Sequence, residues 1–374
     1  MPGGRVPSPV SRREPVADRL PAFPWDSLVS FRRRAEAYPG GAVDFSMGTP
    51  VDPTPPPIRD ALAAAADAPG YPLTAGSAEL RAKILAWLRT HCGAVSLAAD
   101  AILPTIGTKE IVAWLPTLLG LGPGDIVVHP KLAYPTYQVG ARLAGARSVA
   151  SDSLTALGPA KVRLVWLNSP SNPTGRVLPT AHIRKVVDWA RERGAVVASD
   201  ECYLDLGFET SPVSVLSVCE GNHAGVLSVH SLSKRSNLAG YRAGFMAGDP
   251  ALIAELLAVR KHAGMIVPAP VQQAMIAALS DPGHVEEQRQ RYAARRALLR
   301  PAFEAAGFRI EHSEAGLYLW MTRDEDCWRT VDWFAERGII VAPGTFYGEE
   351  GARHVRVALT ATDERVAAAV SRLS

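Results

Sequence analysis

Residues 100–248 alternate short apolar runs with amphipathic segments of helical period. Regular succession of strand, turn and helix predicts parallel strands joined by helical crossovers. Several of the runs are apolar throughout, as strands must be when helices cover both faces of their sheet. The sequence therefore predicts an α/β fold with a mostly parallel sheet. The predicted strands are residues 101–106, 126–129, 147–150, 162–167, 195–199, 225–229 and 243–247.

The pattern changes after Asp249. Long helices are predicted there, followed by short strands, which is typical of a smaller α+β domain. A helix over 25–38 and a strand over 43–46 are expected to join it. The predicted helices are 250–262 and 268–306, and the strands are 309–312, 317–321, 339–342 and 354–359. We expect a flexible arm over 1–22, a large domain over 45–262, and a small domain built from 23–44 and 263–374.

Charge and hydropathy exclude several kinds of partner. The net charge of +3 is nearly balanced, and Arg32, Arg33 and Arg34 form the one short basic run, so nucleic acid is not an expected partner. No apolar run approaches the about 20 residues that span a membrane. The arm lacks the apolar core of a secretory signal, and four scattered cysteines form no CxxC pair. A cytoplasmic protein without a zinc site is expected.

A lysine preceded by two serines comes shortly after the strand predicted over 225–229. The residues are Ser231, Ser233 and Lys234, with Arg242 eight residues further on. Such a lysine could bind an aldehyde cofactor covalently, while the hydroxyls and the guanidinium bind its phosphate. Taken alone, the motif is equally consistent with a loop that carries solvated cations.

Other polar residues also follow predicted strands. Gly107, Thr108 and Lys109 open a helix whose N–H groups suit a phosphate, although such turns are often purely structural. The ring of Tyr134 could stack on a planar cofactor, or could simply belong to the core. Asn172 lies in a turn fixed by prolines, and its amide offers a hydrogen-bond donor.

Asp200 ends a buried strand, and Tyr203 follows it closely. An unpaired carboxylate there would be costly unless it met a cation, and a protonated pyridine would be such a cation. Together and in this order, the motifs resemble fold-type I pyridoxal-phosphate enzymes of the class I/II aminotransferase family, over about residues 20–373. The resemblance implies pyridoxal 5'-phosphate (PLP) as cofactor, with amino acids and 2-oxo acids as substrates.

The resemblance also implies a role for each residue. Lys234 would carry the cofactor and transfer protons, Asp200 would pair with the pyridine nitrogen, and Tyr134 would stack on the ring. Asn172 and Tyr203 would hydrogen-bond the ring oxygen. The implied phosphate ligands are Gly107, Thr108, Lys109, Ser231, Ser233, Arg242 and, from the partner in a homodimer, Tyr71. The implied substrate ligands are Arg356 for the carboxylate, Gly48 and Asn172.

A finer resemblance concerns the substrate. Residues 20–26, 48–53, 113–124, 230–240, 260–265 and 312–318 are similar to the N-succinyldiaminopimelate aminotransferases of actinobacteria. This implies N-succinyl-2-amino-6-oxopimelate as substrate and glutamate as donor, in the biosynthesis of diaminopimelate and lysine. Binding its distal carboxylate needs a further cation, and the sequence leaves the choice open. The candidates are Arg32, Arg33, Arg34, Arg235, Lys261 and His262.

Other functions remain open from the sequence. One is an aminotransferase for another acidic or aromatic amino acid, and another is a PLP lyase with the same cofactor residues. A ligand sensor fused to a DNA-binding domain would need such a domain ahead of residue 20, where only the Pro/Arg/Ser-rich arm is expected.

Overall fold

The computed structural model describes residues 15–158 and 160–373. The strands are β1 (Val43–Asp44), β2 (Ile102–Ile106), β3 (Ile126–His129), β4 (Arg147–Ala150), β5 (Val162–Asn168), β6 (Val196–Asp200), β7 (Val226–Ser231), β8 (Ala243–Gly248), β9 (Arg309–Glu311), β10 (Tyr318–Thr322), β11 (Ile339–Ile340), β12 (Ala342–Pro343) and β13 (His354–Ala358). The helices are α1 (Val29–Glu36), α2 (Pro56–Ala64), α3 (Ala78–His91), α4 (Thr108–Leu118), α5 (Thr136–Leu143), α6 (Thr180–Glu192), α7 (Val215–Val218), α8 (Pro250–Ala263), α9 (Ala269–Ser280), α10 (Gly283–Ala305), α11 (Cys327–Glu336) and α12 (Asp363–Leu373).

Seven strands form the central sheet, in the order β2-β8-β7-β6-β5-β3-β4. The predicted α/β class is confirmed. Strand β8 is antiparallel to both of its neighbours, whereas the other pairs are parallel. The chain returns from β7 to β8 through a short loop without a crossover helix, which requires antiparallel pairing. As a result, Arg242 at the start of β8 lies at the same edge of the sheet as the ends of β2, β6 and β7.

Buried apolar side chains fix the sheet between its helices. Strands β7 and β8 are buried along their whole length, as their apolar sequences predict. Ser77 caps the start of α3, where its hydroxyl accepts from the Leu80 N–H at 3.1 Å, and Asp249 caps the start of α8, where its carboxylate accepts from the Ala251 N–H at 2.8 Å. These caps satisfy N–H groups that the first turn leaves without partners.

The second unit is a four-stranded antiparallel sheet of order β12-β13-β10-β9. The single strand predicted over 339–342 is wrong, since β11 pairs with β1 while β12 joins the four-stranded sheet. The long segment predicted as helical over 268–306 breaks at Asp281 and Pro282 into α9 and α10. Helix α9 shares an apolar core with α2 and α3 on the large sheet. The domain division itself stays a prediction.

Part of the expected N-terminal arm, residues 1–14, lies outside the described residues. Within the rest, Val16–Arg19 forms a 3-10 helix, and Pro24–Leu28 forms a second one that leads into α1. Among the described helices, none is long and apolar enough to cross a membrane.

Candidate active site

A cavity of about 720 Å³ opens where the polar ends of the large sheet face the N-terminal segment. Residues that follow five different strands meet there, because the carboxyl ends of parallel strands share one edge of the sheet. The cavity brings together all but two of the residues predicted for the site. Those that line it are Gly48, Thr108, Lys109, Tyr134, Asn172, Asp200, Tyr203, Ser231, Ser233, Lys234, Arg242 and Arg356.

Lys234 lies inside this cavity, in the loop after β7. Its Nζ donates to the carbonyl oxygen of Gly48. Burial lowers the pKa of Lys234 to about 8, and the positive charges of Arg356 and Arg242 act in the same direction. A substantial fraction of this amine is therefore neutral near physiological pH, as attack on an aldehyde or removal of a proton requires.

Asp200 ends β6 and is almost completely buried, with 5% of its surface exposed. Its Oδ2 accepts from the Tyr137 hydroxyl at 2.7 Å, and its Oδ1 accepts from the Cys202 N–H at 3.3 Å. Burial raises the pKa of Asp200, although both hydrogen bonds oppose the shift. Among the described residues no cation forms an ion pair with Asp200, so the site fits a cationic ring nitrogen.

Arg356 on β13 reaches across to Asn172. Its Nη1 donates to the Asn172 Oδ1 at 2.8 Å, its Nη2 donates to the Ser46 carbonyl at 2.7 Å, and its Nε is buried without a partner. The guanidinium carbon lies 3.9 Å from the ring centroid of Tyr318. Because no carboxylate neutralises this buried guanidinium in the described part of the chain, it suits the carboxylate of a substrate. The contact also orients the Asn172 amide, whose nitrogen remains a donor.

The other end of the sheet edge forms a cradle for an anion. Gly107 has φ +69°, and a Cβ atom there would collide with the Arg242 guanidinium. Helix α4 begins directly afterwards, at Thr108, and presents N–H groups to the cavity. The Ser231 hydroxyl accepts from the Ser233 N–H at 3.1 Å, which fixes the loop before Lys234. Hydroxyls, N–H groups and a guanidinium together fit a phosphate.

Sequence reasoning missed several residues of the site. The Tyr318 hydroxyl lies 3.0 Å from that of Tyr203, and a Cβ at Gly48 would collide with it. Tyr137, which binds Asp200, comes three residues after Tyr134, at the start of a helix. The short spacing from Tyr134 could have indicated that Tyr137 belongs to the site. Tyr318 lies on a strand of the other sheet, and nothing in its local sequence indicated a place in the site.

Two predictions for the site find no support within one chain. Tyr71 is 99% exposed and does not line the cavity. None of the six cations considered for a distal carboxylate lines it either. Arg235, for example, is buried and paired with Asp205 at 2.9 Å, and its guanidinium lies 5.0 Å from the Trp87 ring centroid.

Three potential metal ligands meet behind the site, although their sequence spacing gave no sign of it. Donor atoms of Cys92, Glu201 and His230 lie within 4.8 Å of one another, and all three residues are buried. Burial raises the pKa of Glu201 to about 7 and lowers the pKa of His230 to about 3, and it raises the pKa of the Cys92 thiol. Below pH 7 these shifts favour a neutral polar cluster.

Comparison with known proteins agrees with this geometry. The family model for aminotransferase class I and II matches residues 41–373. A probable aminotransferase of Mycobacterium tuberculosis is 63% identical over 96% of this chain and 86% of its own length. The 4-dedimethylamino-4-oxo-anhydrotetracycline transaminase of Streptomyces rimosus is 60% identical over 95% of this chain and 99% of its own.

A solved structure supports membership of the same family. It is a probable N-succinyldiaminopimelate aminotransferase of Thermus thermophilus, which matches with a TM-score of 0.85 and 27% identity, over 94% of this chain and 99% of the other. The chain belongs to the class I/II aminotransferase family and has its PLP-dependent fold. It is an aminotransferase, and its cofactor is PLP.

Proposed function

We propose that this chain is an N-succinyl-LL-2,6-diaminopimelate:2-oxoglutarate aminotransferase in the biosynthesis of diaminopimelate and lysine. The observation that carries the proposal is the charge of the cavity. Four of its lining residues are basic and one is acidic, namely Lys109, Lys234, Arg242 and Arg356 against Asp200. Asp200, Lys234 and Arg242 are assigned to the cofactor, which leaves Lys109 and Arg356 as cations that suit a substrate with more than one carboxylate. The likeness to the T. thermophilus protein, a probable N-succinyldiaminopimelate aminotransferase, adds support.

Bound PLP supplies an electron sink that makes the α-proton of an amino acid acidic. Around it, the residues of this chain have separate tasks. Asp200 would keep the ring nitrogen protonated, Arg356 would fix the substrate carboxylate, and Asn172 and Tyr203 would donate to the ring oxygen. The Lys234 amine, neutral in part because of its lowered pKa, would take the α-proton and return it to the cofactor side.

A second candidate function is the amination of a ketone on a polycyclic ring. The S. rimosus relative is named for such a reaction, and it is 60% identical to this chain. The cavity is also largely apolar on its N-terminal side, where Leu20, Phe23, Trp25 and Met47 line it. Flat apolar walls suit a ring system as well as they suit methylene groups.

We also propose that the enzyme is a cytoplasmic homodimer. Tyr71 is 99% exposed in the single chain, which suits a residue that completes the phosphate site of a partner. The described cysteines are all free, in keeping with a reducing compartment.

The experiment is a steady-state assay of the purified holoenzyme. One reaction pairs N-succinyl-LL-2,6-diaminopimelate with 2-oxoglutarate as amino acceptor, and the other pairs the 4-oxo-anhydrotetracycline substrate with glutamate as amino donor. The assay measures kcat/KM for each substrate. The proposal predicts glutamate formation and a kcat/KM for the first substrate at least about 100-fold above the second. The opposite preference would favour the second candidate. Release of ammonia and pyruvate, without an acceptor, from an amino acid with a leaving group on Cβ, such as O-acetylserine, would indicate a lyase.

A further inference from the structure

Two tyrosine hydroxyls meet in the cavity, and the proposed mechanism uses only one of them. Tyr203 and Tyr318 both line the cavity, and their hydroxyl oxygens lie 3.0 Å apart. Tyr203 follows β6 of the large sheet, whereas Tyr318 begins β10 of the other sheet. Tyr203 is the proposed donor to the ring oxygen of PLP. The hydroxyl of Tyr318 has no task in that mechanism.

The number of protons fixes the direction of the hydrogen bond between the two hydroxyls. A phenol hydroxyl has one proton to donate, and it accepts through its lone pairs. Burial raises the pKa of Tyr203 well above its usual value, so this hydroxyl keeps its proton. When that proton is donated to the ring oxygen, the oxygen of Tyr203 accepts from Tyr318. Hydrogen bonds in series polarise one another in a buried site, so donation from Tyr318 makes Tyr203 a stronger donor.

A cation lies against the ring of the same residue. The guanidinium carbon of Arg356 is 3.9 Å from the ring centroid of Tyr318 and 4.8 Å from that of Tyr347. A cation on the face of a phenol ring draws electron density away from its hydroxyl, which strengthens the O–H group as a donor. The hydroxyl of Tyr347 is buried without a hydrogen-bond partner in the described part of the chain. Of these two rings, only Tyr318 connects Arg356 to a second hydroxyl.

The position of Tyr318 is fixed by the sheet and by its neighbours. Tyr318 pairs with Ala358 across β10 and β13, so Arg356, two residues earlier on β13, lies on the same face of the sheet. The Tyr318 side chain is buried in the apolar core that also contains Tyr203. A Cβ atom at residue 48 would collide with the Tyr318 hydroxyl, and glycine leaves the space free. The contact between the two hydroxyls is therefore held by packing from several sides.

We propose that Tyr318 is a positioning residue for the cofactor, whose hydroxyl donates to Tyr203 and thereby strengthens the hydrogen bond from Tyr203 to the ring oxygen of PLP. This inference rests on the proposed role of Tyr203 and does not depend on which amino acid is the substrate. A donor to the ring oxygen stabilises negative charge there, and so favours the unprotonated form of the covalent link between Lys234 and PLP. Loss of the Tyr318 hydroxyl should therefore raise the pH at which this link loses its proton.

The test is a pH titration of the visible absorbance of the holoenzyme, without substrate. Tyr318→Phe keeps the ring beside Arg356 and removes only the hydroxyl, and it should raise the midpoint of the absorbance change by about 0.5 to 1 pH unit. Tyr203→Phe should raise the midpoint by at least as much. Tyr347→Phe is the matched control, because it removes a hydroxyl without a hydrogen-bond partner from the other ring beside Arg356, and its midpoint should not change. The charged residues of the cavity are the same in every variant, so they cancel from each comparison; they are Lys109, Asp200, Lys234, Arg242 and Arg356.

The double variant Tyr203→Phe/Tyr318→Phe shows whether Tyr318 acts through Tyr203. Its midpoint should equal that of Tyr203→Phe alone, because residues that act in series are not additive. Additive shifts would mean that Tyr318 acts independently of Tyr203, and would overturn the proposal. So would an unchanged midpoint in Tyr318→Phe beside a raised one in Tyr203→Phe, although the role of Tyr203 would then stand. If neither single variant moves the midpoint, both roles fail, whereas the choice of substrate is decided separately by the steady-state assay.

Discussion

The two ends of the cavity are built in different ways. At the cofactor end, polar groups follow β2, β5, β6 and β7, and each is held by a buried neighbour, as Asp200 is by Tyr137 at 2.7 Å. At the mouth, the walls come from the N-terminal segment, and Lys109 is exposed. The rigid end suits chemistry that all aminotransferases share, whereas the mouth can differ between relatives without disturbing it.

This difference explains why relatives at 63% and 60% identity need not share a substrate. Changes at the mouth alter few buried contacts, so they cost little stability and can alter specificity. The predictions below therefore begin at the rigid end, where we expect the largest losses, and proceed outward.

Lys234→Ala should lower turnover by about 10⁴-fold or more, because no other amine described in the cavity lies in the loop after β7 to transfer the proton. The covalent absorbance band of the cofactor should disappear as well. Lys185→Ala on the exposed face of α6 is the matched control. Residual turnover within tenfold of the unsubstituted enzyme would remove Lys234 from its role.

Asp200→Asn should lower kcat by about 10²- to 10³-fold, since loss of one partner of a buried ion pair costs about 3–5 kcal/mol. Stopped-flow spectra of the half-reaction measure it. Asp188→Asn, on the exposed side of α6, should have no effect. A kcat that is unchanged in Asp200→Asn would mean that the ring nitrogen does not depend on this carboxylate.

Arg356→Lys should lower kcat/KM for glutamate by about 100-fold, because an ammonium cannot form the bidentate hydrogen bonds that a guanidinium forms with a carboxylate. Affinity for PLP should change much less, and equilibrium titration of the apoprotein measures it. Arg353→Lys, just before β13, serves as the control. Equal losses for substrate and cofactor would show that Arg356 supports the fold of the whole site.

The rate at which the apoprotein binds PLP covalently should depend on pH through Lys234. Its pKa is lowered to about 8, so the reactive neutral amine increases as the pH rises toward 8 and then levels off. Between pH 6.5 and 8.5 the rate should rise about 25-fold. A rate that keeps rising tenfold per pH unit up to pH 10 would show that burial leaves the pKa of this lysine unaltered.

Tyr71→Phe should weaken PLP binding by about tenfold, since it removes one hydrogen bond to a charged phosphate. The effect should appear only in the dimer, so the cofactor titration is paired with sedimentation at the same concentrations. Tyr38→Phe, where the ring stacks with Arg372 in the small unit, is the control. Unaltered affinity in a confirmed dimer would exclude a contribution of Tyr71 to the phosphate site.

The cofactor end was predictable from the sequence because each of its residues stands next to a strand end, as Asn172 and Asp200 do. Local patterns reveal strand ends, and the topology of a parallel sheet then brings them together. The mouth was not predictable, since Phe23 and Lys109 are 86 positions apart by number and meet only through tertiary packing. The same is true of Tyr318 against Tyr203, which are 115 positions apart and meet in one apolar core.

The most direct test of the central claim follows the absorbance of the holoenzyme while one equivalent of glutamate is added, and then one of N-succinyl-2-amino-6-oxopimelate. The account predicts that glutamate converts the cofactor to its amine form with release of 2-oxoglutarate, and that the second addition restores the first spectrum and yields N-succinyldiaminopimelate. Conversion by glutamate without reversal by this oxo acid would contradict the proposed substrate, and no conversion by any amino acid would contradict the account of the site.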